Sequence, residues 1–197
     1  MNIILSSTLL VIFAVAAKAE PQIYTLDPSH SQAAFQYEHA GLSVTYGVFG
    51  GFEGEILIDR EDLAAASVSV AIAADRMLTG DVARDEVFLR SGQFFDLKAA
   101  PMITFVSTFV EITGGQTALI TGDLNLNGVT VSVVLDAVLK GETDAYPFPP
   151  FGGQPAVGFT ASTVLSRSDF GLGLFAPFIA DEVKVDISIE AIALPER

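Results

Sequence analysis

Apolar side chains recur at every second position over most of the chain, which is the period of a β-strand with one buried face. Four runs show this alternation clearly, with apolar positions at Ala33, Phe35 and Tyr37; Val68, Val70, Ile72 and Ala74; Ala118, Ile120, Leu124 and Leu126; and Val183, Val185, Ile187 and Ile189. About eight to ten such runs follow one another through short turns, without the strand–helix–strand rhythm of a parallel sheet. The sequence therefore predicts an all-β fold, either an antiparallel barrel or a sandwich.

Two local signals predict a turn and a helix. Asn127 and Gly128 separate two alternating runs, and an Asn-Gly pair in that position is typical of a tight β-hairpin. Residues 81–90 lack Gly and Pro and mix apolar with charged side chains. They predict one short helix in a long connection after the fourth strand, with Thr79 or Asp81 as its N-cap.

The segment from Met102 to Ile112 is apolar on both faces. Strict alternation places Ile103, Phe105 and Phe109 on one face; it places Val106, Val110 and Ile112 on the other. One face would meet the core, and the other would then need a cover, which the helix predicted over residues 81–90 can supply.

The chain carries more apolar side chains than the closing of one core requires, since 50% of its residues are hydrophobic and 15 are Phe. The interior of an eight-stranded barrel is either filled by side chains or holds one small ligand. We expect the surplus to line a lumen that holds a long apolar ligand. Residues 146–155, rich in Pro and aromatics, cannot form a central strand. Their aromatic rings either form a lid over the barrel mouth or pack outside it.

The first 19 residues have the features of an export signal. An apolar centre ends in Ala17-Lys18-Ala19, the small-x-small pattern of a signal-peptidase site. We expect cleavage after Ala19, a periplasmic protein, and a single domain over residues 20–197. The absence of Cys excludes disulfides and thiol nucleophiles. The net charge of −14 argues against nucleic-acid binding.

Residues that could carry chemistry are few, and we predict no catalytic residue, no metal site and no cofactor. The Asp27-Pro28-Ser29-His30 segment predicts a turn in which Asp27 and Ser29 bond local backbone N–H groups, rather than part of a hydrolase triad. His30 and His39 are nine residues apart and would face opposite sides of one strand. Arg167 lies where a strand meets a Gly-bounded loop. It is either a ligand for an anionic head group or a structural ion-pair partner of Asp169 or another carboxylate.

Short motifs occur in a definite order along the chain. They are Tyr24-x-Leu26-Asp27-Pro28-Ser29-His30-Ser31, Phe35-x3-His39, Gly47-Val48-Phe49, Arg84-Asp85-x3-Leu89-x-Ser91-x2-Phe94-Phe95-Asp96, Pro101-x2-Thr104-Phe105, Gly122-Asp123-Leu124-x-Leu126-x-Gly128, Gly158-Phe159, Arg167-Ser168-Asp169-Phe170-Gly171 and Asp181-x-Val183-x-Val185. This ordered set resembles the YceI-like family of exported polyisoprenoid-binding proteins.

The resemblance implies an antiparallel, eight-stranded, lipocalin-like barrel whose apolar tunnel takes a polyisoprenoid, with a polar or phosphorylated head nearer the opening. It implies no catalytic reaction. We expect the ligand contacts to come from Phe35, Tyr37, His39, Phe49, Phe88, Phe94, Phe105, Leu124, Phe159, Arg167 and Phe170. Two basic residues common in the family are absent, after the Gly128-Val129-Thr130 turn and before Gly158-Phe159. An isoprenoid quinone or another neutral isoprenoid therefore stays open as the ligand.

Two other functions stay open at this point. One is a stress-related interaction protein whose barrel is filled. The other is an enzyme that acts on a hydrophobic substrate and uses His30 or His39 as acid or base. Transient exchange of the ligand with membranes and a homodimer are also left open.

Overall fold

A computed structural model describes residues 20–195, so the export signal predicted over residues 1–19 lies outside the described residues. The strands are β1 (Gln22–Leu26), β2 (Gln32–His39), β3 (Ser43–Gly50), β4 (Phe52–Ile58), β5 (Ser67–Ala73), β6 (Met77–Leu78), β7 (Met102–Ile112), β8 (Thr117–Leu126), β9 (Val129–Thr143), β10 (Ala156–Ser166) and β11 (Glu182–Ile192). The α-helix, α1, is Val82–Arg90, and single 3-10 turns occupy Leu63–Ala65, Ala74–Arg76 and Arg167–Phe170.

These strands build a closed, antiparallel, eight-stranded barrel. Three pairs of them are halves of longer, interrupted strands: β1 with β2, β3 with β4, and β5 with β6. The sheet closes where β11 pairs with both halves of the first strand: with β1 through Thr25 opposite Ile192 and Leu26 opposite Ala191, and with β2 through five further pairs. The predicted all-β barrel with one short helix is confirmed.

Because neighbouring strands are antiparallel, the connections alternate between the two ends of the barrel. One end, called here the helix end, carries the turn at 40–42, the connection 79–101 with α1, the Asn127-Gly128 turn and the loop 167–181. The opposite end, called the open end, carries segments 59–66, 113–116 and 144–155.

The predicted hairpin and helix are both present. Asn127 and Gly128 have φ values of 54° and 79°, the left-handed pair that a type I′ turn needs. Asp81 caps α1 by accepting a hydrogen bond from the Arg84 N–H at 2.8 Å. The helix follows β6, which ends the third barrel strand and not the fourth, because β1 and β2 are halves of one strand and β3 and β4 are halves of the next. Within residues 20–195, no helix is both long and apolar enough to span a bilayer.

The predicted face assignment along β7 is wrong beyond Ser107. A β-bulge inserts Thr108, so that Ser107 pairs with Gly122 and Phe109 with Thr121. The inserted residue reverses the alternation: Val110 lines the lumen, whereas Phe109 is 60% exposed outside. The helix does not cover this outer face, since α1 lies at the helix end with Phe88 in the lumen.

Gly54 tests the close contact between β4 and β5. Its φ is +136°, and a Cβ there would lie 2.0 Å from the backbone oxygen of Ser69. We expect Gly54→Ala to lower the free energy of unfolding by about 2–4 kcal/mol, because the added methyl group meets backbone and the dihedral is strained. Urea unfolding measures the loss. Gly50→Ala is the matched control, since a Cβ at Gly50 meets nothing within 4 Å. An equal effect of both substitutions would contradict the argument.

Candidate ligand-binding cavity

The barrel is hollow. A cavity of about 530 Å³ runs along the lumen and is lined by side chains from the barrel strands, nearly all of them apolar. This volume lies within the range of about 300–1,000 Å³ found for small-molecule sites. Inward-facing side chains in mid-barrel, such as Ile120, Leu124 and Val133, are only partly buried because the cavity leaves them accessible. The alternative of a barrel filled by its own side chains is therefore wrong.

The lumen stays open although many Phe side chains point into it. A Cβ at Gly47 would lie 2.2 Å from the ring of Phe35, and one at Gly122 would lie 2.4 Å from the ring of Phe105. Each ring therefore fills the space beside a glycine on the neighbouring strand, where any other residue would place its Cβ. Three alanines in register, Ala118, Ala137 and Ala161, keep another part of the wall shallow.

Aromatic rings close the helix end. Phe88 of α1 packs at 4.9 Å from Phe94 and 6.5 Å from Tyr37, measured between ring centroids. Phe49 links the rings of Phe35, at 5.5 Å, and Phe95, at 6.3 Å. This end thus offers apolar surface to whatever occupies the lumen.

Ten of the eleven residues predicted to contact the ligand line the cavity. They are Phe35, Tyr37, Phe49, Phe88, Phe94, Phe105, Leu124, Phe159, Arg167 and Phe170.

His39 does not line the cavity with the other predicted contact residues and is exposed. Alternation places it on the inward face, two residues after Tyr37. However, the strand extends past the cavity there, and His39 bridges to Ile179 of the loop 167–181.

Arg167 organises its own loop, which neither interpretation of the sequence foresaw. Its guanidinium donates to the backbone oxygens of Ala180 at 2.9 Å, Ile179 at 2.9 Å and Leu172. No ion pair of Arg167 with a carboxylate occurs among residues 20–195. Burial lowers the pKa of Arg167, and the nearby carboxylate of Asp181 partly opposes that shift. Every residue has a backbone carbonyl, so the sequence gives no sign of which carbonyls an arginine will bond.

The cavity reaches solvent at the open end. The lining side chains of Leu63 and Ile112 are 45% and 44% exposed there. Arg60 and Glu142 also line this end and form an ion pair of 2.8 Å, and the same Nη2 atom of Arg60 donates to the Tyr24 hydroxyl at 3.3 Å. Neither Arg60 nor Glu142 stands out in the sequence, and Tyr24 occurs there only as the first residue of a family motif.

The loop 144–155 packs outside the barrel, which resolves the two alternatives left open for it. None of its residues lines the cavity. Tyr146 donates to the carboxylate of Glu190 at 3.0 Å, on the outer face of β11. Phe148 contacts Tyr146 and is 63% exposed.

His30 and Asp27 form a hydrogen-bonded turn on the outside of the barrel. Asp27 accepts from the Ser29 N–H at 2.8 Å, as predicted, and its other oxygen lies 2.8 Å from His30 Nδ1. Burial raises the pKa of Asp27, but the bonds to His30 and Ser29 outweigh it and lower the pKa overall. The bond to Asp27 raises the pKa of His30.

This turn does not connect to the lumen. Neither His30 nor His39 lines the cavity. The length of β2 also separates the two His residues from each other by more than about 20 Å, at 3.3 Å per residue. Ligand atoms of Asp27, His30 and Glu190 lie within 4.8 Å of one another. Asp27 and His30 already bond each other, and the Glu190 carboxylate accepts from the Tyr146 hydroxyl, so we assign them a structural role.

The chain is similar to proteins of known family and known structure. A family model described as the YceI-like domain matches residues 24–191. The protein YceI of Salmonella arizonae is 34% identical over 191 residues, 96% of each chain. The crystal structure of Burkholderia cenocepacia BcnA superposes with a TM-score of 0.72 at 22% identity, over 84% of this chain and 99% of that one. A polyisoprenoid binding domain from Saccharophagus degradans, implicated in plant cell wall breakdown, superposes with a TM-score of 0.62 at 16% identity, over 87% and 98%.

Arg167→Lys tests the role of the guanidinium in the loop. Lys cannot reproduce the planar set of donors, so carbonyls of the loop lose their partners. We expect the free energy of unfolding to fall by about 1–2 kcal/mol and amide exchange within residues 167–181 to accelerate. Arg90→Lys is the control, because the exposed Arg90–Glu86 pair should contribute less than about 0.5 kcal/mol. Unchanged exchange in the loop would contradict the assignment.

The His30–Asp27 bond makes stability depend on pH. Because the pKa of His30 is higher in the folded protein than in the unfolded chain, the bond stabilises the fold below about pH 6.5. That stabilisation is lost as the pH rises through the raised pKa. His30→Gln should therefore lower the Tm most in mild acid and least above about pH 8. His39→Gln, at the other end of β2, should leave this pH dependence in place.

Proposed function

This chain belongs to the YceI-like family, and we propose that it binds a polyisoprenoid, or an isoprenoid quinone, in the barrel lumen as a non-enzymatic carrier. The observation that carries the proposal is the open, apolar lumen, which is closed by aromatic rings at one end and accessible at the other. A long, thin, apolar molecule that enters by one end is the ligand that such a space accommodates.

One solved structure with this fold supports the same ligand class. The domain of Saccharophagus degradans with this fold is described as polyisoprenoid binding. In the present chain, most of the family-motif residues that line the lumen are Phe or Leu, such as Phe35, Phe105 and Leu124. They supply apolar contact without direction, which suits a flexible prenyl chain.

Energetics favour a carrier over a permanent store. Burial of a prenyl chain yields about 0.8 kcal/mol per CH₂ relative to water. Such a chain resides in a bilayer, however, which is equally apolar, so its transfer into the lumen gains little. The ligand can then exchange between the protein and a membrane in either direction.

Mass spectrometry of lipid extracted from gently purified protein tests the proposal directly. We expect an isoprenoid in near-stoichiometric amount, or its uptake from vesicles when the purified protein is empty. Recovery of no lipid, together with no uptake of added isoprenoid, would contradict the proposed function.

Ala161→Phe blocks the lumen at the middle of β10. Ala161 lines the cavity opposite Ala137, so a ring there occupies space that the ligand needs. We expect uptake of a long-chain isoprenoid to fall about tenfold or more, because a packed interior excludes further atoms. Ser162→Phe adds the same ring to the exposed outer face and should leave uptake unchanged. Equal uptake by both variants would place the ligand outside the lumen.

We further propose export to the periplasm, on the pattern of residues 1–19 alone. N-terminal sequencing of the mature protein should then begin at Glu20. The non-enzymatic role rests on the finding that neither His30 nor His39 lines the cavity. The double variant His30→Gln, His39→Gln should retain ligand uptake, and conversion of an isoprenoid that this variant abolishes would indicate an enzyme.

A further inference from the structure

Two cations line the cavity within residues 20–195, one at each end. Arg167, at the helix end, donates from all three of its guanidinium nitrogens to backbone carbonyls. Arg60, at the open end, uses Nη2 alone, for Glu142 and Tyr24. Its Nε and Nη1 groups donate to none of the described residues. Since a guanidinium has five N–H donors, Arg60 has donors to spare at the mouth of the cavity.

Glu142 reaches the mouth through a β-bulge. Gly158 pairs with Gly141 and Phe159 with Leu139, so Lys140 is an extra residue in β9. Without the bulge, the inward alternation of Ala137 and Leu139 would place Gly141 at the rim and turn Glu142 outward. Bulges at barrel rims commonly re-aim a side chain in this way.

The ion pair leaves the mouth without excess positive charge. Arg60 is neutralised by a carboxylate at 2.8 Å. The segments around it carry further carboxylates, namely Asp59, Glu61, Asp62, Glu111 and Asp144. A phosphate or diphosphate that accepted from the unused donors of Arg60 would lie beside Glu142, so two anions would share one guanidinium in an acidic field.

We propose that Arg60, held in place by Glu142 and Tyr24, binds the ligand's head group and selects a neutral head with a carbonyl or hydroxyl oxygen over a phosphorylated one. This inference rests on the proposed function, since it assumes a prenyl chain in the lumen. A neutral oxygen accepts from Nε or Nη1 while the ion pair stays intact. The other polar lining residues near the mouth, Gln116 and Thr117, lie at the same end.

The same arrangement sets the orientation of the ligand. The helix end offers aromatic rings and an arginine whose nitrogens are already bonded. The chain therefore enters tail first, its far end reaches the rings of Phe88 and Phe94, and its head stays beside Arg60.

Competition between three isoprenoids tests the inference. Protein is equilibrated with phosphatidylcholine vesicles that contain an isoprenoid quinone, a prenyl diphosphate of equal chain length and squalene, which has no polar head. Bound lipids are then quantified by mass spectrometry for the wild type, Arg60→Gln, Glu142→Gln and Lys140→Gln. Lys140 is the matched control, because it lies next to Glu142 in sequence, is exposed and does not line the cavity.

We expect the wild type to bind about tenfold or more quinone than diphosphate. Arg60→Gln should lower the ratio of bound quinone to bound squalene about fivefold, which is the loss expected for one half-exposed hydrogen bond to a charged donor. Glu142→Gln should raise the diphosphate uptake about tenfold, because it frees the arginine and removes a repelling charge. Lys140→Gln should change neither ratio.

A wild type that prefers the diphosphate would overturn the inference, and so would a quinone-to-squalene ratio that Arg60→Gln leaves unchanged. Both outcomes leave the proposed function standing, because isoprenoids still enter. Failure of all three lipids, squalene included, would instead contradict the proposed function.

Discussion

Closure of the sheet between β11 and the first strand, made of β1 and β2, is the constraint on which the rest of the molecule depends. It involves two residue pairs of β1, Thr25 with Ile192 and Leu26 with Ala191, and five pairs of β2. Once eight strands are closed, the barrel diameter is set, and the inward half of every strand faces one enclosed space. Whether that space fills is decided by side-chain volume. Here the rings of Phe35 and Phe105 lie against glycines and three alanines stand in register, so the space remains a cavity.

Two bulges give this barrel its particular lumen. In an uninterrupted strand, side-chain direction follows the parity of the residue number, and one inserted residue reverses that parity for all that follows. In β7 the insertion brings Val110 and Ile112 inward and leaves Phe109 in solvent. In β9 the insertion of Lys140 brings Glu142 to the rim, beside Arg60. The apolar wall and the polar mouth thus have the same geometric origin.

The two ends of the lumen differ in chemistry, although each holds one arginine. At the helix end, the guanidinium of Arg167 donates to backbone carbonyls of its loop, and the surface offered to a ligand is aromatic. At the open end, Arg60 keeps unused donors but has its charge balanced by Glu142. An arginine's role therefore depends on its partners, and neither position combines free guanidinium nitrogens with an unpaired positive charge, as recognition of a diphosphate requires.

The sequence alone determined what depends on local periodicity and local hydrogen bonding. Alternation predicted the strands, Asn127-Gly128 predicted a hairpin, and Thr79 or Asp81 was predicted to cap the helix. Ten of the eleven residues expected from the family resemblance to contact a ligand line the cavity. Only the tertiary structure decided what depends on register between distant strands. Phe109 turned outward because of a bulge that alternation does not reveal, and His39 lies beyond the end of the cavity. Arg60 and Glu142, 82 residues apart, meet only because the closed barrel brings their ends together. Short-range periodicity specifies which side of a strand is apolar, whereas bulges and closure specify where each side chain finally points.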